Sequence, residues 1–462
     1  MAKHRCPGCR KRDARIAALE RRVTELEARL GQHAGNSSVP PSANPPAAPK
    51  PVVKEPTGRP PGAQPGHAPC QRVRLPAERV QHVVHHRPTT CRGCGHDLPA
   101  EAGPQDPQPT WHQVAELPEI TAVVTEHQGH TRTCPRCGAQ THAAIPADVR
   151  AHARGPRLTA VMAYLSGARH DSKRGVEEVV ETVFGVPVAL GTVTAVEQEA
   201  SAALAPAHAE AAQAVRHAPT KNTDETGRKQ AGRLCWLWTA VTSGVACFVI
   251  HARRGAAGLA ALLGETIQGI VTSDRWSAYH RLDVYRRQLC WAHLLRDFQA
   301  VVDRGGPGRA FGEELLAFAD DVFHWWYRVR DGTLSRASLR TYIDEQRPWL
   351  RDLLARGAAC RCAKTAALCG NLLESEPAPW TFTRVEGVEP TNNAAERALR
   401  PAVLWRRRSF GCHSEAGCRF VERMLTVVQT LRLQERGVID YLVEAMAAHR
   451  QGLGSPKLLP TG

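Results

Sequence analysis

Three carboxylates stand where short apolar runs or helices begin or end. Asp224, in Thr-Asp-Glu-Thr, lies just before a β hairpin; Asp274 closes the run Gly269-Ile-Val-Thr-Ser-Asp274; Glu396 lies at a helix start in Thr391-Asn-Asn-Ala-Ala-Glu-Arg397. If the two strands are neighbours, both aspartates reach one edge of a sheet, and a packed helix can add the glutamate. Such an oxygen set suits Mg2+, which takes few carboxylates beside water and phosphate oxygens. Two such ions can clamp the attacking and leaving oxygens of a phosphoryl transfer. Plainer roles fit the same residues: Asp224 and Asp274 as turn or cap residues, and Glu396 as the N3 member of a capping box with Asn393 as N-cap.

Six of the 15 cysteines fall in Cys-x-x-Cys pairs: Cys6/Cys9, Cys91/Cys94 and Cys134/Cys137. Met1 to Lys11 has no apolar core of a secretory signal, so a disulfide scaffold is not expected and metal is the first reading. Cys91-Arg-Gly-Cys94-Gly and Cys134-Pro-Arg-Cys137-Gly are matching knuckles, 39 residues apart, each with a glycine that permits a tight turn. Four thiolates of this kind make a structural Zn2+ site; the alternative is two free dithiols. Cys6/Cys9 is a third knuckle that His4 or Cys70 could complete. Isolated cysteines such as Cys235, Cys247 and Cys290 read as small core residues.

The elements that position these groups can be read from pattern. Ile16, Leu19, Val23, Leu26 and Leu30 follow 3-4-3-4 spacing, with Arg15 and Arg22 at g and Glu20 and Glu27 at e. That is a parallel coiled-coil seam, and a homodimer or higher oligomer through 10–30 is expected; the alternative is a helix docked on its own domain. Residues 36–70 hold eleven of the 33 prolines and read as a linker. Short β runs, such as Val83-Val84 and Ile120 to Thr125, suggest a small β zinc-binding domain. From 155 to 215 the spacing is helical, with a helix over about 173–183, a Gly185-Val186-Pro187 break and a new helix near Leu190. This resembles a helix-turn-helix, although helical hairpins are common. Leu234 to Val241 and Val245 to Ile250 read as a hairpin, Gly269 to Asp274 as a strand, and Arg286 to Trp291 as a strand running into a helix. Residues 310–375 look wholly helical, as do about 393–404 and 415–448.

The 462-residue chain carries a formal charge of +15, which favours a polyanionic partner, nucleic acid first, over a merely basic enzyme. No apolar run is long enough to span a membrane, and no Walker-type loop is present. The expected organisation is 1–35 Cys-x-x-Cys plus zipper helix, 36–72 linker, 73–148 four-Cys domain, 150–215 helical region and 216–450 catalytic domain with a helical insertion at about 300–385.

Longer motifs carry a resemblance. Thr223-Asp-Glu-Thr-Gly227, Ser273-Asp-Arg-Trp-Ser-Ala-Tyr279, Arg287-Gln-Leu-Cys-Trp-Ala-His-Leu-Leu-Arg-Asp-Phe298, Glu389-Pro-Thr-Asn-Asn-Ala-Ala-Glu-Arg397 and Ser409-Phe-Gly resemble transposases of the insertion-sequence-sixty-six family. So do Gly155-Pro-Arg-Leu-Thr-Ala, Phe420-Val-Glu-Arg-Met-Leu-Thr-Val-Val, the zipper, the Asn36–Ser42 segment and the four-Cys domain. The resemblance implies a multidomain α/β chain with a ribonuclease-H-like catalytic core and a helical insertion. Preceding that core are the helical region, a small β zinc-binding domain and a short coiled coil. It implies a bacterial DDE transposase with the triad Asp224, Asp274 and Glu396, and Mg2+ (or Mn2+) shared among them. The reaction is phosphodiester cleavage at transposon-end DNA, then 3′-OH strand transfer into target DNA. Companion proteins of the same element and a cytoplasmic, nucleoid-associated location follow from the same resemblance. The Cys6/Cys9 pair is not a family feature. Glu225 follows Asp224 on a strand, points to the other face and is not counted as a ligand. His293 and Arg296, one turn apart if helical, suit phosphate contact or packing. Arg400, Arg406, Arg407 and Arg408 suit DNA phosphates or a solvated basic face, and are expected to carry more of the salt dependence of binding than the N-terminal arginines. The competing readings are a ribonuclease-H-like nuclease without strand transfer and an inactive zinc-containing DNA-binding regulator.

Overall fold

The computed structural model describes residues 7–30, 32–33, 37–38 and 73–460. Two compact units divide the chain, Lys50–Ala122 and the remainder, and each is described by itself. Of the expected linker only positions 37–38 are described; His4, Cys6 and Cys70 lie outside the described residues, and of Cys9 only the backbone is described.

Pro7–Leu30 is helix α1. Its Ile16, Leu19, Val23 and Leu26 are 47%, 57%, 52% and 41% exposed, so this stripe is not docked on its own domain among the described residues. Val83-Val84 and Ile120 to Thr125 form no strands. Val83, Val84, Val123 and Val124 are 70% exposed or more. A short strand needs at least a ladder partner, and these runs have none. Instead β1 (Thr131–Thr133) and β2 (Gln140–His142) pair antiparallel around Cys134 and Cys137.

The helical stretch forms as the spacing predicts, as α2 (Ala147–Ala151), α3 (Pro156–Gly167), α4 (Lys173–Phe184), α5 (Leu190–Ala203) and α6 (Ala205–His217). Ser172 caps α4 by accepting from the Gly175 amide at 3.0 Å, and Gly185 (φ 64°) closes it in the left-handed conformation. These helices share one core with the sheet: Met162, Val176, Val196 and Ala207 pack in the same cluster as Trp238 and Phe248.

The sheet has five strands: β3 (Thr220–Gln230), β4 (Arg233–Val241), β5 (Ala246–His251), β6 (Ile270–Ser273) and β7 (Arg287–Leu289). Their order is β5-β4-β3-β6-β7, with β5, β4 and β3 antiparallel and β3, β6 and β7 parallel. Helix α7 (Ala256–Leu263) joins β5 to β6, and α8 (Trp291–Arg304) leaves β7. The insertion is α9 (Arg309–Arg330), α10 (Arg336–Ala358), α11 (Ala363–Glu374) and α12 (Thr381–Arg384). It has its own core, in which Trp291, Phe298, Phe318, Leu353 and Trp380 are buried. The chain then returns to the sheet as α13 (Asn393–Ser409), α14 (Glu415–Leu433) and α15 (Val438–Arg450). Helix α13 runs five residues past the expected end at about 404, with Pro401 inside it.

Helix α14 covers the open edge of β5. The amides of Ala246 and Phe248 donate to the hydroxyls of Thr430 and Thr426 at 3.1 and 3.0 Å, and the Ile250 amide donates to the Glu422 carboxylate. Residues four apart on a helix thus serve alternate amides of a strand, and no buried N–H on that edge is left unpaired.

Two outcomes follow. Gly269 (φ 67°) sits where a Cβ would lie 2.5 Å from the carbonyl oxygens of Ala218 and Pro219. Gly269→Ala therefore strains the entry of β6 beside β3 and is expected to lose about 2–4 kcal/mol in urea unfolding; an unchanged midpoint contradicts this. Burial pushes the Glu422 carboxyl up to about 7 against its bond from Ile250 and its partner Arg419, from a free value of 4.5. The folded chain then binds more protons than the unfolded chain between those values. The contribution is fully present below pH about 4.5 and is lost as pH rises through about 7, in total about 3 kcal/mol. Relative to Glu422→Gln, the unsubstituted protein is expected to lose stability between pH 5 and 8; a pH-independent difference counts against this.

Candidate active site

Strand β3 builds the site through its alternation. Asn222, Asp224, Thr226 and Arg228 share one face, and the segment 391–412 runs along it. The Asn222 Nδ2 donates to the Thr391 carbonyl at 3.3 Å, Arg406 Nη1 donates to Thr226 Oγ1 at 3.0 Å and to the Gly227 carbonyl, and Arg228 Nη2 donates to Cys412 Sγ at 3.2 Å. Asp224 lies between these contacts, on the stretch that Glu396 faces.

The parallel pairing aligns the two aspartates. Thr220, Lys221 and Asn222 pair with Ile270, Val271 and Thr272. The same register carried two residues on sets Asp224 level with Asp274. The Asp224 Oδ1 accepts from the Glu225 amide at 2.8 Å, and the Asp274 Oδ1 accepts from the Trp276 amide at 2.9 Å. Burial first, then the charges of Glu225, Asp274 and Glu396, push the Asp224 carboxyl well above the usual range. Asp274 and Glu396 are thus both near enough to Asp224 for their charges to act on it.

Glu396 is the fourth residue of α13, one place later than a capping box requires. The N-cap is Asn392, whose side chain does not cap the helix. Its Nδ2 instead donates to the Thr223 carbonyl at 2.7 Å, beside Asp224, and its amide donates to Cys290 Sγ at 3.2 Å. Two bonds therefore fix the start of α13 against β3 and α8. Sequence reasoning passed over Asn392. The signal was the Asn392-Asn393 pair, since a helix start needs one cap and not two.

His293 and Arg296 do lie one turn apart on α8, and both face Glu396. The His293 Nδ1 and Arg296 Nη2 lie 3.6 and 3.7 Å from its Oε1. Burial and Arg296 lower the His293 pKa. Arg400, Arg407 and Arg408 are exposed, whereas Arg406 is directed into the sheet and departs from the expected phosphate-facing cluster. On the other face of β3, Glu225 pairs with Arg254 at 2.9 Å and accepts from the Tyr279 hydroxyl at 2.7 Å. Arg254 in turn lies 3.9 and 4.7 Å from the ring centres of Trp276 and Trp236. Glu225 therefore points to the other face, as alternation predicts, although its charge still acts on Asp224.

The chemistry of this donor set fits a divalent cation. The charges of Asp274 and Glu396 both act on the Asp224 carboxyl, and the buried Glu396 Oε1 has no hydrogen-bond partner. Among the described residues, the group of His, Cys, Asp or Glu with ligand atoms within 4.8 Å of one another is Cys290, His293 and Glu396. Asp224, Asp274 and Glu396 do not close to that spacing.

Each zinc-type knuckle is formed by itself with the same bonding. In one unit the Cys91 amide donates to His96, the Gly95 amide to the Cys91 carbonyl, and the Gly93 amide to Cys91 Sγ at 3.4 Å. In the other the Cys134 amide donates to Ala139 and the Gly138 amide to the Cys134 carbonyl. Gly95 and Gly138 have φ of 76° and 74°. Amides of Gly93 and Cys94 lower the Cys91 thiol, and those of Cys137 and Arg136 lower Cys134.

A profile described as "Transposase IS66 family" matches residues 152–419, which contain all three carboxylates and the whole sheet. Two proteins of Sinorhizobium fredii (strain NBRC 101917 / NGR234) are similar to this chain. "Uncharacterized protein y4qI" is 26% identical over 205 residues, 40% of this chain and 36% of that protein. "Uncharacterized protein y4hP" is 26% identical over 417 residues, 79% of this chain and 72% of that protein. The match thus spans about a third of the length of the first relative. With its profile covering more than half of the chain and centred on this site, the protein belongs to the IS66 family of transposases.

Proposed function

We propose that this chain is a DDE transposase of a bacterial insertion sequence. It binds transposon-end DNA, cuts a phosphodiester with Asp224, Asp274 and Glu396, and joins the freed 3′-OH to target DNA. The observation that carries the reading is the alignment of Asp224 with Asp274 through the β3–β6 register, with Glu396 brought to the same face by α13. Three antiparallel strands followed by two parallel ones, with a helical insertion ahead of Glu396, support a ribonuclease-H-like core.

Asp224 and Asp274 would hold one divalent ion, and Asp224 and Glu396 a second. Bound Mg2+ or Mn2+ supplies the Lewis acidity that activates the attacking oxygen and stabilises the leaving one. The chain's own residues set the stage. Asn392 fixes the start of α13 beside Asp224, on the stretch that Glu396 faces. His293 and Arg296 limit the swing of Glu396. Desolvation of Asp224 strengthens its interaction with any cation beside it. Arg400, Arg407 and Arg408 offer exposed charge to DNA phosphates along the same helix.

In this reading each knuckle, Cys91 and Cys94 in one unit and Cys134 and Cys137 in the other, supplies thiolate ligands for structural Zn2+, supported by the matching backbone of the two knuckles. The exposed seam of α1 supports dimerisation. Companion proteins and a place beside the nucleoid belong to the same proposal. No helix among the described residues is long and apolar enough to cross a membrane.

The decisive measurement uses purified protein, Mg2+ and a labelled transposon-end duplex. Asp274→Asn is expected to reduce cleavage by about three orders of magnitude, the scale of losing a transition-state charge stabiliser. Full retention of cleavage would sink the assignment. Joined end–target products in the unsubstituted reaction distinguish a transposase from a nuclease that only cuts. For the knuckles, Cys91→Ser and Cys134→Ser are each expected to lower the zinc content of the purified chain and its melting temperature. A metal-free protein with unchanged melting overturns the zinc reading.

A further inference from the structure

Arg228 presents an electrostatic problem away from the carboxylates. It is 2% exposed on β3, it stacks 5.5 Å from the Trp405 ring centre, and its Nε and Nη1 find no hydrogen-bond partner. A buried guanidinium cannot shed its charge and needs an anion. Its Nη2 donates to Cys412 Sγ at 3.2 Å. Cys412 is held there by backbone bonds on both sides: its amide donates to Lys229 at 2.9 Å, and its carbonyl accepts from Ala231 at 2.8 Å. The preceding Gly411 (φ 109°) passes so close to Lys229 that no Cβ fits. Cys418, 1% exposed, lies in the first turn of α14 beside Gly417, where an added Cβ would come 3.7 Å from the Cys412 Cβ. Cys412 itself is part-exposed.

We propose that Cys412 serves as the thiolate counter-ion of Arg228 and is a site of oxidative modification, with a peroxide as oxidant and Cys418 as the resolving thiol. The electrostatics agree with this geometry. The neighbouring Cys418 thiol, then the charge and hydrogen bond of Arg228, hold the Cys412 thiol down to about 6 against burial, while the Cys418 thiol is pushed up. In the first step the Cys412 sulfur attacks one peroxide oxygen and the O–O bond breaks. The departing hydroxide takes a proton to become water, and Cys412 is left as a sulfenic acid. The Cys418 sulfur then attacks the Cys412 sulfur. The S–O bond breaks, an S–S bond forms, and a second water leaves with the Cys418 proton. Sulfur loses two electrons and the peroxide gains them. Closure removes the anion from Arg228, at the junction where α13 passes from β3 to α14.

The test uses the full reduced chain and site-resolved mass spectrometry. Limiting hydrogen peroxide at pH 7 is expected to give a Cys412–Cys418 linked peptide. In Cys418→Ser the reaction stops at a Cys412 sulfenic acid that dimedone labels. In Arg228→Gln, alkylation of Cys412 by iodoacetamide at pH 6.5 slows by about tenfold. A linked peptide that never forms, or a Cys418→Ser chain with no dimedone at Cys412, overturns the proposal. So does a Cys412 alkylation rate that a folded Arg228→Gln leaves unchanged. If Arg228→Gln does not fold, the Cys418→Ser result decides alone.

Discussion

The central strand carries no apolar side chain. Thr220 to Gln230 reads Thr-Lys-Asn-Thr-Asp-Glu-Thr-Gly-Arg-Lys-Gln, yet it lies between β4 and β6. A polar group taken from water costs several kcal/mol unless it is bonded again, so the neighbouring elements must supply partners. Lys221, 1% exposed, donates from Nζ to the carbonyls of Arg216 and Gln268 at 2.8 and 2.9 Å, and burial pushes it down to about 8. Glu225 takes Arg254 and Tyr279, Thr226 takes Arg406, and Arg228 takes Cys412. Asp224 is the member of the strand whose neighbours add negative charge instead of removing it.

The insertion depends on the same strand. After β7 the chain leaves the sheet, builds a separate core, and returns through Pro390 to Asn392. The Trp291 amide donates to the Pro390 carbonyl at 2.9 Å, and Asn392 bonds to both Cys290 and Thr223. Closing a long loop costs little more than closing a short one. The helices between can therefore vary in length without disturbing the point at which Glu396 is delivered.

Much of this was legible in the sequence because apolar periodicity reports elements that bury one face. The hairpin of β4 and β5, the short β6, the passage from β7 into α8, and the end of α4 at Gly185 all carry such a pattern. Strand β3 does not, since its burial is achieved by hydrogen bonds; Asp224 could be set on a strand, but not one of eleven residues that pairs on both sides. The runs at Val83-Val84 and Ile120 to Thr125 have the composition of strands, but composition says nothing about whether a partner edge exists. The direction of Arg406 was equally hidden. Three successive arginines look alike until the helix phase turns one toward Thr226 and Gly227.

The side chains of α14 that bond to β5 also bear on how copies of the protein can meet. Two residues of a strand advance about 6.6 Å and four residues of a helix about 6 Å, so the two repeats stay matched over the three amides involved and then drift apart. At the opposite edge, Thr381 donates to the Arg287 carbonyl at 2.7 Å and Gln288 accepts from the Phe382 amide at 2.7 Å. Both rims of the sheet are thus covered by hydrogen-bonding segments from within the chain. Joining two protomers by lengthening this sheet would first require peeling away α14 or α12, which leaves helical surfaces as the available route to assembly.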